Sequence, residues 1–195
     1  MCEHRVPFFV YPRYMDLAEI QKSKGQFLLD EVLLLTVLGG FGRSSVYKKG
    51  VNEEQKLLFR KFLKRELVIL EEKYHLKISD TEHLKNIRKF KNSVTNEFSY
   101  MLEEDKFRYG IAQKLINLFL KYRWSLDLIS EPPHCPFDSV IAKKLGSSYK
   151  FTKSDSEKEY LTIVNMAEIE SKKSGHSISI WEMETFNGRL SADLV

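Results

Sequence analysis

Cysteine, proline and tryptophan are scarce in this chain of 195 residues, at 2, 5 and 2 copies, and the scarcity removes several explanations at once. Cys2 and Cys135 are too few for a disulfide framework, and their separation matches no zinc-binding spacing, so free thiols are expected. Long apolar runs are missing too. The longest, residues 27–38, is interrupted by Asp30 and Glu31 and falls short of the roughly 20 residues a membrane-spanning helix needs. Residues 6–11 form a short apolar patch broken by Pro7 and followed by Pro12, without the cleavage site of a signal peptide, so the expected location is cytoplasmic and no membrane partner is expected.

Chemical signatures are equally sparse. The histidines, His4, His75, His83, His134 and His176, are scattered and do not have metal-ligand spacing, so no metal is expected. His134 beside Cys135 is a dipeptide that cannot by itself align a nucleophile with its base. Glu182 and Glu184, two apart on a helix, point away from each other. There is no dinucleotide-binding glycine motif. The stretch Gly39-Gly40-Phe41-Gly42-Arg43-Ser44-Ser45 reads as a loop that stops a helix, since it does not end in the Lys-Ser/Thr of a phosphate-binding loop. Strand alternation, internal repeats and low-complexity tracts are absent.

What remains is an ordinary globular composition with helical periodicity from end to end. Hydrophobic residues at 43% and charged residues at 30% exclude a disordered chain, and the length suffices for one domain, residues 1–195, with a real core. A net charge of +4 favours an anionic partner. Phe27, Leu28, Val32, Leu35 and Leu38 predict a buried helix over residues 25–38. Asn52 is expected to cap a second helix whose apolar side is Leu57, Leu58, Phe62, Leu63, Leu67, Leu70 and Tyr74; its basic residues read as a solvated face. Ser79 and Glu82 form a capping box for a third, carrying Leu84, Ile87, Phe90, Val94, Phe98 and Leu102. Residues 103–110 break the pattern, which resumes over 111–124. The prolines of residues 130–136 fix an extended connection ahead of a short helix near Phe137. Two more helices follow, one through Tyr160, Ile163 and Val164 stopped at Gly175, the other near 178–188.

Within residues 98–145, two helices joined by a turn at Gly110 are followed by Gln113-Lys114, and later by Pro-His-Cys-Pro-Phe-Asp-Ser ending in Asp138-Ser139. This layout resembles the core of the helix-hairpin-helix DNA glycosylases, nearest their archaeal 8-oxoguanine branch, and residues 180–189 are similar to the closing helix of that branch. The resemblance covers the C-terminal half. It implies an all-α fold of two helical lobes whose cleft receives Lys114 and Asp138, and an enzyme that removes a modified base from DNA. In it, Lys114 attacks the sugar carbon, with a lyase step through a Schiff base, and Asp138 assists departure of the base. DNA is the implied partner, with no small-molecule cofactor.

The residues themselves allow that chemistry. Lys114, expected in the first turn of its helix, would have its charged form disfavoured by the helix dipole if shielded from water, and Asp138 at a helix start would be held as the carboxylate. Lys106, Arg108, Gly110 and Gln113 are the expected DNA contacts. An extruded base needs flat walls and polar readers; Trp124, Phe137, Trp181 and Phe186 are candidates for the former, Gln113, Asn117 and His134 for the latter. Two other functions fit the same composition, a non-catalytic DNA-binding module and a helical protein-interaction domain.

Overall fold

A computed structural model of the chain describes residues 16–42 and 44–193, with side chains through 188. Cys2, His4, the patch at 6–11 and Arg43 lie outside the described residues. Among the described residues the protein is all-α: seven α-helices, short 3₁₀ turns and no strand beyond one isolated bridge between Tyr47 and Leu102. No helix among them is long and apolar enough to cross a membrane.

The chain divides into two compact units, Met1–Glu31 and Val32–Val195. Helix α1, Leu17–Phe41, begins in the first, where Asp16 and Glu19 cap each other's amides at 2.7 and 3.2 Å. The expected buried face is corrected. Phe27, Leu28, Leu35 and Leu38 are exposed, whereas Val32, Leu33, Thr36, Val37, Gly40 and Phe41 are buried. A helix apolar on every side offers no periodicity from which to choose its inward face. Gly39 and Gly40 do not stop α1 either. They lie within it against α4, Tyr109–Ser125, where a β-carbon at Gly40 would come within 2.4 Å of Leu115 and one at Gly39 within 2.6 Å of Leu118.

The second unit is built around α4. Helix α2, Glu53–Glu71, opens on a reciprocal capping box between Asn52 and Gln55 and buries Phe59, Leu63, Leu67 and Leu70. Leu57 and Leu58, expected on that side, are exposed, because the inward stripe runs through Phe59 instead. Helix α3, Asp80–Phe98, starts where Ser79 accepts a hydrogen bond from the Glu82 amide, and turns Ile87, Phe90, Val94 and Phe98 inward. Both helices pack on α4 and on each other. Phe59, Phe98 and Phe107 meet edge to face between them, with Phe59 at 5.2 Å from Phe98 and 6.0 Å from Phe107.

After α4, residues 126–138 run without regular structure, tied down where the Ser130 amide donates to the Tyr74 carbonyl at 2.8 Å and the Ser179 hydroxyl to the Pro132 carbonyl at 2.8 Å. Helix α5, Ser139–Lys144, is short and capped by Asp138. Helix α6, Glu157–Lys173, is capped by Ser156, and Gly175 takes φ +74 beyond its end, a conformation that suits glycine. Helix α7, Ile178–Asp193, packs on α6.

Candidate functional site

Two residues 24 positions apart meet within the second unit: Lys114 Nζ lies 2.7 Å from Asp138 Oδ2. Lys114 is 6% exposed, unusual for a lysine and tolerable only beside a counter-charge. Asp138 is fixed by its place at the start of α5, where Oδ1 accepts from the Val140 and Ile141 amides at 2.9 and 3.1 Å, leaving Oδ2 for the lysine. Burial raises the affinity of that carboxyl for a proton, but the Lys114 ammonium and the two amides outweigh it and hold Asp138 below the usual carboxylate range.

The placement of Lys114 departs from expectation in one respect. Helix α4 begins at Tyr109, so Lys114 is its sixth residue and lies beyond the first turn, where the helix dipole acts. Its environment is set by burial and Asp138 instead.

A buried polar chain stands behind the pair. The Gln113 amide grips the Phe137 peptide from both sides, donating to the carbonyl at 2.8 Å and accepting from the N–H at 3.3 Å. That peptide immediately precedes Asp138. The Asn117 amide donates to Gln113 Oε1 and to the Tyr160 hydroxyl, both at 3.1 Å, and Tyr160 also bonds His134 Nδ1 at 2.7 Å. His134 stacks edge-on against His83 at 4.8 Å, and Tyr74 bonds His83 at 2.8 Å. Burial pushes His134 down to about 4 and His83 well below its ordinary value, so both rings are neutral near pH 7.

Seven residues further along α4, Lys121 Nζ lies 2.6 Å from Glu182 Oε2 on α7 and 4.8 Å from the centre of the Phe186 ring. Burial holds Glu182 above the usual carboxylate range in spite of Lys121. Cys135, fully buried, is raised well above its ordinary value by burial, with Glu182, Lys121, Lys114 and Asp138 all within its electrostatic reach; it is a neutral, inert thiol. The Lys121–Glu182 pair was not anticipated from sequence. The signal for it was the spacing of Lys114 and Lys121, which places both on one side of a helix.

The other expected site residues lie in different surroundings. Gln113, Phe137 and His134 are buried in the chain behind Asp138, Phe137 lying edge-on to Tyr160 at 5.6 Å. Gln113 therefore positions the site from within and presents no surface to DNA, and Phe137 is packed as core here. Trp181 is buried on α7, and Phe186 is 36% exposed under Lys121. Trp124 is half-buried in the last turn of α4, about 15 Å along the helix axis from Lys114.

The hairpin residues expected to contact phosphate are engaged within the chain. The Gly110 amide donates to the Ser154 carbonyl at 3.0 Å and the Tyr109 amide to Asp155 Oδ1 at 2.9 Å. Arg108 donates to the Thr152 carbonyl and, at 2.8 Å, to that of Ser45. Lys106 pairs with Glu104 at 3.2 Å and Asp155 at 3.6 Å. A β-carbon at Gly110 would meet the Phe151 carbonyl oxygen at 2.1 Å, so the glycine is required for this close approach of chain to chain.

Among the described residues no group of three or more His, Cys, Asp or Glu side chains is placed to hold a metal ion. Comparison with protein-family models, curated proteins and solved structures found no match.

Proposed function

We propose that the protein is a DNA glycosylase of helix-hairpin-helix type, with lyase activity, acting through Lys114 and Asp138 in a cleft between helical lobes. One observation carries the reading: a lysine 6% exposed sits 2.7 Å from an aspartate whose second oxygen is already fixed by two backbone amides. Such a lysine is shielded from bulk water and becomes a nucleophile once its proton passes to the base that is to leave. Its free amine attacks C1′ of the damaged nucleotide as the glycosidic C–N bond breaks, and the departing base takes up a proton. Asp138, kept as the carboxylate, offsets the positive charge that develops on the sugar. Opening of the sugar ring leaves a Schiff base on Lys114, and β-elimination of the 3′ phosphate then cuts the strand. The mechanism calls for no metal or organic cofactor.

Borohydride trapping tests it directly. Purified protein is reacted with duplexes carrying oxidised, deaminated, alkylated or abasic nucleotides, beside Lys114→Ala and Asp138→Asn. The expected result is a covalent adduct on at least one duplex, absent with Lys114→Ala and reduced at least a hundredfold with Asp138→Asn, the scale of one electrostatic contributor. No adduct on any duplex overturns the lyase reading.

A further inference from the structure

The hairpin is poorly placed to grip a polyanion, because its amides and cations are used internally and its turn carries Glu103, Glu104 and Asp105. Another surface has the opposite character. A groove of about 1070 Å³ opens between α5 and α7, lined by Ser139, Val140, Lys143, Lys144, Glu184 and Thr185 among others. It begins at the residue following Asp138. Lys143 and Lys144 are exposed and form no ion pair among the described residues. The one carboxylate on its wall, Glu184, is 3.4 Å from His176.

We infer that this groove holds the phosphodiester backbone of the DNA strand that carries the reacting nucleotide, with Lys143 and Lys144 meeting its phosphates; the inference rests on the glycosylase reading and replaces the hairpin as the DNA grip. Charge and position both favour this occupant. From Asp138 to Lys144 the chain advances about 9 Å along α5, the rise of two to three nucleotides in one strand at about 3.4 Å each. A strand lying there sets the phosphates of neighbouring nucleotides against the two lysines while its reacting sugar faces Asp138. Ser139 and Thr185 supply neutral hydrogen bonds along the same track.

The experiment is fluorescence anisotropy with a labelled duplex containing a tetrahydrofuran abasic analogue, which binds without reacting, over a salt series. Both lysines are exposed and alanine is a good helix former, so the Lys143→Ala/Lys144→Ala double variant keeps the fold. It is expected to bind at least tenfold more weakly than wild type, with the slope of log affinity against log salt reduced by about two, while Lys106→Ala stays within twofold. Equal binding by the double variant, or an equal loss with Lys106→Ala, overturns the groove assignment. Trapping of an adduct together with groove-independent binding leaves the enzyme reading standing and removes this one. Groove-dependent binding without any adduct does the reverse, and no binding by wild type at low salt overturns both.

Discussion

Helix α4 carries two lysines, each paired with a carboxylate at almost equal distance, Lys114–Asp138 at 2.7 Å and Lys121–Glu182 at 2.6 Å, yet the carboxylates respond in opposite ways. Asp138 is held below the usual carboxylate range and Glu182 above it. The difference lies in what else each carboxylate has. Asp138 has two backbone amides, and its preceding peptide is clamped by Gln113. Glu182 has a side chain 5% exposed and depends on Lys121. Asp138 is lowered by Lys114 first and by the two amides besides, whereas Lys121 alone does not outweigh the deeper burial of Glu182. The comparison therefore separates a pair with backbone support from a structural pair that rests on two side chains alone.

The largest expected effect is on the structural pair. Lys121→Met strands Glu182 in the interior and should cost about 3 to 5 kcal/mol in denaturant unfolding near pH 8. Because Glu182 has its proton affinity raised in the folded state, its contribution is favourable below the ordinary carboxylate pKa and is lost as pH rises through the raised value. The deficit should accordingly shrink at pH 5. An equal deficit at both pH values would break the comparison.

Gln113→Glu should follow at about 3 kcal/mol, since a carboxylate cannot donate to the Phe137 carbonyl and brings a buried charge with it. If the clamp helps to hold Asp138, its carboxyl should move toward the ordinary range in a ¹³C NMR titration; an unmoved carboxyl would show that the two amides suffice.

Gly110→Ala forces a methyl group onto the Phe151 carbonyl and should cost about 2 kcal/mol by thermal denaturation, loosening the helix that carries both lysines. Stability equal to wild type would mean that residues 151–155 swing away readily and that the hairpin amides can be freed after all.

Smallest is Lys114→Met, at about 1 kcal/mol, because Asp138 is partly exposed and keeps its amides. Asp138 contributes stability above the ordinary carboxylate range that is lost as pH falls through its depressed value, and this variant should narrow that acid-side loss. A cost as large as that of Lys121→Met would erase the distinction between the pairs.

Much of the helical outline could be read from local chemistry. Asn52, Ser79, Ser156 and Asp138 cap where their side chains and spacing suggest, and Gly175 ends α6, because caps depend on neighbours within four residues. The meeting of Lys114 with Asp138 followed from a motif. Long-range choices were not legible. The inward faces of α1 and α2 are decided by partners from elsewhere in the chain, and residues 27–38 and 57–63 are apolar enough to serve either way. Nothing local to Gly110 announces that the Ser154 carbonyl, 44 residues on, will take its amide. The partner of Glu182 was hidden for the same reason, its lysine being 61 residues away.

The glycine pair inside α1 carries a last consequence. With no side chains at 39 and 40, α1 rests on α4 through bare backbone, and Leu115, the residue touching Gly40, is next in sequence to Lys114. A side chain at either position would press on Leu115 or Leu118, and so on the helix that carries Lys114, through a contact in which no polar side chain takes part.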